Sequence, residues 1–317
     1  MTRVNATSFL GGISENYNSN LLLGEDKICV VEADEFDRSF LQLHPNIACV
    51  TSMDADHLDI YKEASALEES FVAFSQQVSE TLIVAKGLPL KGLTYAINET
   101  ADYQAYNLKI ASGKYIFDVK TPVSEIKNIE FHLPGKHNVM NALAALAMAD
   151  SYGISLEEIK QSLATFKGVK RRFTYKIKTN DFVLIDDYAH HPTEISAVQN
   201  AIREMYPTEK VLVVFQPHLF SRTQDFVDDF ASALSKFDEV LLLNIYPARE
   251  LPIPGVTGEW LLSKINNPHK RMTQKETLLK DIQQSSAKVV AMLGAGDIGV
   301  MISEITSQLL KKNQHEV

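Results

Sequence analysis

The chain has 317 residues, with 31 lysines and arginines against 40 acids, a formal net charge of −9, 45% hydrophobic and 22% charged residues. That balance belongs to a globular protein and argues against general nucleic-acid or membrane-surface binding, which needs clustered positive charge; the length predicts two domains. No run approaches the roughly 18 apolar residues that cross a bilayer, and residues 1–12 lack the apolar core and small-residue cleavage site of a signal peptide, so a cytoplasmic location is expected.

Apolar runs at 28–31, 47–51 and 82–85 read as strands and alternate with a helical pattern over 64–78, the signature of parallel α/β units. Cys29 and Cys49 fall in the first two runs, so two buried, reduced thiols are expected rather than a disulfide. Residues 103–133 alternate polar and apolar without helical period and predict an antiparallel extension. Helices are predicted over 138–152 and 156–165, the second opened by a capping box of Ser155 and Glu158. Gly168 and the basic run that follows it mark a boundary, giving domains 1–169 and 170–317. Beyond it the alternation restarts, with strands at 182–185, 211–215, 240–243 and 289–293. Helices are predicted at 193–206, 223–236, 257–265, 276–285 and 298–310, and a polar tail from Lys311 is expected to fray. The fold class is α/β, with two doubly wound domains.

Polar groups crowd the ends of these strands, where open α/β sheets bind ligands. Asp186-Asp-Tyr-Ala-His-His-Pro-Thr-Glu194 follows one strand directly, and Pro192 with Glu194 suits the first turn of a helix. Glu32-Ala-Asp-Glu and Asp54-Ala-Asp-His-Leu-Asp end two neighbouring strands and suggest one Mg²⁺ site, since that ion prefers oxygen ligands. Either could instead be a solvated acidic loop. Asn138 and Asn141 share a helix face and could offer amides to a base edge, although Pro134-Gly135 with an asparagine cap also serves as plain helix punctuation. Lys167, Lys170, Arg171, Arg172, Lys176 and Lys178 form a positive cluster at the inferred boundary, where Arg171 or Arg172 could pair with phosphate or carboxylate. His218 and Arg222 could receive a small anion, such as an amino-acid carboxylate. Gly294-Ala-Gly-Asp-Ile-Gly299 matches the dinucleotide fingerprint, yet no strand or ribose-binding acid follows it, so it reads as a tight strand-to-helix turn and not an NAD site. A metallohydrolase built on His190 and His191 is disfavoured, because adjacent side chains diverge.

Together these segments, with Gly135-Lys-His-Asn-Val-Met-Asn-Ala, Gly168-Val-Lys-Arg-Arg-Phe, Phe215-Gln-Pro-His and Tyr246-Pro-Ala-Arg-Glu-Leu-Pro-Ile-Pro-Gly, resemble the Mur ligases of bacterial peptidoglycan synthesis, in particular the branch that adds L-alanine. The resemblance covers nearly the whole chain in the family's order. It implies an incomplete central ATPase domain of the P-loop type followed by a Rossmann-like C-terminal domain. It also implies an ATP-dependent ligase that phosphorylates the carboxylate of UDP-N-acetylmuramate and joins it to L-alanine. Glu32 and His57 would be magnesium ligands; His137, Asn138 and Asn141 adenine contacts; Arg172 a nucleotide-phosphate contact and Asp187 a ribose contact. Tyr188, His190, His218 and Arg222 would surround the reacting carboxylate and the amino acid. Leu219 departs from the second arginine often found in this branch, and no lysine stands between Leu67 and Val78 where related ligases carry a carbamylated one. The family's Gly-x-x-Gly-Lys-Thr phosphate loop is not found, so the chain is expected to be a truncated ligase lacking the UDP-binding domain and inactive alone. A tripeptide-recycling ligase and a non-catalytic nucleotide-binding module are the alternatives.

Overall fold

A computed structural model describes residues 4–25, 28–53, 64–111 and 113–315, and the chain divides into two compact units, Met1–Gly168 and Val169–Val317. The first unit opens with strands β1 (Thr7–Ser14), β2 (Ser19–Leu22) and β3 (Cys29–Val31), in the order β2-β1-β3. The first two strands were not visible as a pattern, because Gly11 and Gly12 interrupt the alternation and the pairing register shifts between Phe9 and Ser14. The expectation of two buried thiols needs correction: Cys29 is exposed with the rest of β3, and Cys49 is half-buried. Among the described residues β3 pairs only with β1, which leaves its outer edge and both faces uncovered.

A six-stranded sheet follows in sequence order: β4 (Ile47–Val50), β5 (Thr81–Ala85), β6 (Leu93–Ile97), β7 (Tyr103–Ala111), β8 (Lys114–Lys120) and β9 (Glu125–Phe131). Strands β4 to β7 are parallel, and β7, β8 and β9 form the expected antiparallel extension. Helix α1 (Ala64–Gln76) contributes Phe74 to a core with Phe40, Ala48, Val50 and Val84, while α2 (Lys136–Ser151) packs along β4 to β7. Helix α2 begins two residues earlier than its pattern suggests, with Gly135 as its N-cap. Ser155 and Glu158 form the predicted cap of α3 (Leu156–Thr165): Glu158 N donates to Ser155 Oγ, and that hydroxyl donates to the Glu158 carboxylate at 2.7 Å.

The second unit is one sheet in the order β10 (Thr174–Lys178), β11 (Val183–Asp187), β15 (Val289–Leu293), β12 (Val211–Phe215), β13 (Glu239–Leu242) and β14 (Lys270–Met272). Only β10 runs antiparallel. Alternate residues of the central strands enter two different cores. Val183, Ile185, Val211, Val213, Phe215, Val289 and Ala291 face α4 (Pro192–Met205), α6 (Val227–Leu234) and α7 (Gly258–Lys264). Leu184, Leu212, Val214, Leu241, Val290 and Met292 face α8 (Leu278–Gln284) and α9 (Ile298–His315). Burial on both sides is why these strands read as unbroken apolar runs. The helix expected over 223–236 is two helices, α5 (Phe220–Asp225) and α6, parted at Phe226, whose φ of −116° and ψ of 23° leave the helical region. Helix α9 continues to His315, past the point where fraying was expected. No described helix is long and apolar enough to cross a membrane.

Candidate active site

In the second unit the chain runs β11, β12, β13, β14 in one direction and returns to place β15 between β11 and β12. The carboxyl ends of these strands therefore face one crevice, and the loops after β11, β12, β13 and β15 line it. Four non-glycine residues there have positive φ: Arg171 at 61°, Phe173 at 49°, Leu219 at 72° and Ala248 at 49°. Backbone of this kind costs about 1–3 kcal/mol per residue and collects where geometry is imposed for ligands.

The loop after β11 is held from beneath by two acids. Asp186 is 2% exposed and bonds Arg171 Nε at 3.3 Å, while Arg171 Nη2 donates to Gly294 O at 2.5 Å. Asp187, 6% exposed, accepts from the amides of Phe173 at 2.6 Å and Ala189 at 2.7 Å. Burial pushes its carboxyl up to about 6 in spite of those bonds. Both oxygens thus organise the loop, and a ribose contact would have to use their remaining lone pairs. Arg171 is spent in the same way, which leaves the half-exposed Arg172 as the available guanidinium of the pair, in an ion pair with Glu194 at 3.3 Å.

Glu194 lies in the first turn of α4 as its position predicts. Its carboxylate accepts the amides of His190 at 2.9 Å and His191 at 3.2 Å and stands 3.3 Å from His190 Nδ1. His191 is the N-cap of α4, accepting from Thr193 N, with its ring against Phe226. The two histidines therefore point to different tasks, and no cluster of three metal-ligating side chains occurs among the described residues. His190 turns toward Tyr188, ring centroids 5.2 Å apart, and toward His218 at 6.1 Å. Tyr188 lies under the guanidinia of Arg171 and Arg172, at 5.0 and 5.8 Å.

Burial lowers the His190 imidazole below its ordinary range, with Glu194 opposing. His218 is pushed down to about 4 by burial, reinforced by His190, Arg222 and Arg249. Its Nδ1 is buried and makes no hydrogen bond among the described residues, and its ring stacks on Tyr246 at 5.7 Å. Both rings are neutral near pH 7. The Arg222 guanidinium has no hydrogen-bonded or ion-paired partner among the described residues. The structure thus brings Tyr188, His190, His218 and Arg172 into one chain of ring and cation contacts, with Arg222, on α5, acting on both imidazoles. The sequence reading had not singled out Gln216, Tyr246, Glu250 or Asp297. Gln216, 2% exposed, donates to Asp297 Oδ1 at 2.7 Å and accepts from Ile298 N at 3.0 Å, and Asp297 also pairs with Lys275. A glutamine that directly ends an apolar strand was the available signal for this stitch.

In the first unit, Glu32 leaves β3 and accepts from Gly11 N at 2.9 Å. A Cβ at Gly11 would stand 2.0 Å from Glu32 Oε2, so a larger residue there would push the carboxylate out of this position. The other Glu32 oxygen has no partner among the described residues, while His57 lies outside them. Asn138 Nδ2 donates to Pro134 O at 2.6 Å, which makes it helix punctuation in part; His137 and Asn141 are exposed one turn apart. An open cleft of about 330 Å³ lined by Lys86, Tyr95, Asn98, Glu99, Lys136 and Met140 borders the neighbouring face of α2.

The two units match two described domains: the Mur ligase middle domain over residues 16–149, and the "Mur ligase, glutamate ligase domain" over 171–304. The chain belongs to the Mur ligase family. It is 58% identical over 311 residues to the UDP-N-acetylmuramate–L-alanine ligase of Christiangramia forsetii, covering 98% of this chain and 69% of that protein. The enzyme of the same name from Parabacteroides distasonis is 43% identical over 320 residues, covering 98% of this chain and 69% of that protein. Among solved structures, the UDP-N-acetylmuramate-alanine ligase of Thermotoga maritima superposes with a TM-score of 0.80 at 26% identity, covering 99% of this chain and 70% of that one.

Proposed function

We propose that the chain is the ATPase and amino-acid-binding portion of an ATP-dependent ligase that joins L-alanine to UDP-N-acetylmuramate. The observation that carries this is 58% identity across 98% of the chain to a ligase of that name. The second-unit site has matching chemistry, with two imidazoles held neutral beside an unpartnered guanidinium.

In this reading the lactyl carboxylate takes the terminal phosphoryl group of ATP and ADP leaves. The amine of L-alanine then attacks the acyl carbon, the C–N bond forms and phosphate departs with the C–O electron pair. The amine must first lose a proton, and His190, neutral and backed by Glu194, is the acceptor at hand, whereas His218, pushed down to about 4, holds a proton too weakly for that role. Arg222 receives the amino-acid carboxylate, and Tyr188 packs beside the reacting groups. Arg172 meets the nucleotide phosphates and Asp187 the ribose, while His137, Asn138 and Asn141 take the adenine edge. Glu32 fits a magnesium ligand because one hard oxygen stays unpaired at a strand end, with His57 as its expected companion. When bound, Mg²⁺ would offset charge on the transferring phosphoryl group.

The test is ADP release with ATP, Mg²⁺, UDP-N-acetylmuramate and L-alanine, run on the complete gene product and, beside it, on residues 1–317. Release that requires both acceptor and L-alanine is expected of the complete product. Preference for L-Ala-D-Glu-meso-diaminopimelate over L-alanine would mark a recycling ligase, and no release with either would reject the ligase reading.

A further inference from the structure

The segment after β13 is tied to the turn after β12 by three independent contacts. Tyr246 N donates to Pro217 O at 2.8 Å, and Leu219 N donates to Tyr246 O at 2.9 Å, a parallel bridge between His218 and Tyr246. The Tyr246 ring stacks on His218 with an interplanar angle of 18°. Glu250 then accepts from the amides of Phe220 at 2.6 Å and Ser221 at 3.1 Å, and from the Ser221 hydroxyl at 2.5 Å. Between these anchors Ala248 turns the chain at φ 49° and Arg249 stands exposed.

The backbone staple brings the segment that carries Arg249 to the turn that carries His218 and Arg222; both guanidinia help to lower the His218 imidazole, and neither has a carboxylate or carbonyl partner among the described residues. Glu250, the acid that opposes them at His218, is committed to the start of α5. Two arginines without partners among the described residues, carried on backbone segments stapled to each other, suit an anion with two oxygens, because each guanidinium can present a fork to it. The same charges disfavour a protonated amine close by, which helps a neutral nucleophile form.

We propose that Arg249 is a second cationic contact for the α-carboxylate of the incoming amino acid, acting with Arg222 from a different loop. This rests on the ligase reading. It makes amino-acid affinity depend on the 246–250 segment as well as on α5, and predicts that acceptors without a free α-carboxylate are poor.

The complete gene product is assayed with L-alanine and with L-alaninamide, as wild type, Arg249→Ala and Arg249→Lys. Arg249→Ala should raise KM for L-alanine roughly ten- to a hundredfold, as expected for a lost charge-assisted contact, with KM for ATP and UDP-N-acetylmuramate changed less than about twofold. Arg249→Lys should fall between. With alaninamide the wild type and Arg249→Ala should differ less than about twofold, because the interacting group is gone from the substrate. An unchanged KM for L-alanine in Arg249→Ala overturns the assignment. So does an equal loss with alaninamide, or a loss in thermal stability that accounts for the defect. If the wild type itself does not ligate L-alanine, the functional reading fails instead.

Discussion

Asp187 sets two effects against each other, and its replacement by asparagine shows which one wins. The carboxyl is 6% exposed, and burial lifts it from the ordinary 3.8 to about 6, although two backbone amides donate to it. That rise of 2.2 corresponds to about 3 kcal/mol by which the folded state prefers the neutral form, at ~1.36 kcal/mol for each pH unit. The folded chain therefore holds a proton between pH 3.8 and about 6 that the unfolded chain has already released. Stability consequently falls as pH rises through that window and is flat above it. An asparagine side chain removes the charge but keeps only one acceptor oxygen, so its NH2 group would face the N–H of Phe173 or Ala189. Asp187→Asn should be less stable than wild type by about 1–3 kcal/mol near pH 4, and should gain up to about 3 kcal/mol on the wild type as pH rises to 8. Asp187→Ala, which strands two buried donors, should lose about 2–6 kcal/mol instead. Urea denaturation between pH 4 and 8 measures this, followed by the fluorescence of Trp260, the chain's single tryptophan, which lies in α7 of the second unit. The difference curve between Asp187→Asn and wild type cancels the other titrating groups. An asparagine variant less stable than wild type at pH 8, with the gap closing toward pH 4, would mean that the backbone bonds outweigh burial and would refute the reasoning.

His218, pushed down to about 4, binds a proton in the unfolded chain first, so the stability of its neutral ring is present above pH 6.5 and lost as pH falls toward 4. Its imidazole NMR shifts should hold constant from pH 7 to 5, and a midpoint near 6.5 would place the ring in solvent. Gly296→Ala would put a Cβ 2.4 Å from Gln216 Oε1 and 2.8 Å from the Tyr246 ring, both fixed by their own contacts. A loss of about 1–3 kcal/mol in thermal or urea unfolding is expected, and a neutral outcome would show that the stitch can yield. Leu219, at φ 72° and ψ 137°, occupies backbone space suited to glycine, so Leu219→Gly should cost less than about 1 kcal/mol in spite of the lost side chain.

The parallel core was legible because burial on both faces leaves an unmistakable run, as in Val211–Phe215 and Val289–Leu293, whose limits were read without error. Strands β10 and β14 escaped because they lie at the edges of their sheet, where lysine and arginine are tolerated, so that Thr174–Lys178 was visible only as positive charge; β6, interior and as long as β12, escaped because Thr94 and Tyr95 break its apolar run. Site residues next to strand ends stood out for the same reason, since an abrupt change from apolar to polar marks a carboxyl end. Roles set by side-chain direction did not. Nothing in Arg171-Arg172 tells that the first bonds Asp186 and Gly294 while the second pairs with Glu194 and stays half-exposed; those directions belong to the folded backbone, in which Arg171 has a positive φ. Arg249 and Glu250 stood in the sequence only as part of the motif Tyr246-Pro-Ala-Arg-Glu, without a role, because what Glu250 does comes from a bridge between loops some thirty residues apart.

Among the described residues β15 is the last strand of the second unit in sequence, yet it sits between β11 and β12, well inside its sheet. During synthesis β11 and β12 emerge with a vacant slot between them, and their facing edges stay unpaired until residues 289–293 arrive. The ligand-facing loops cannot settle earlier, because Arg171 closes on Gly294 and Gln216 on Ile298. A ribosome stalled before residue 289 should thus display an aggregation-prone half-sheet and no formed site, whereas one carrying α9 beyond the exit tunnel should display both cores closed. The order in which the segments are made, and not only their sequence, delays assembly of the second unit until its own residues 289–293 have been made.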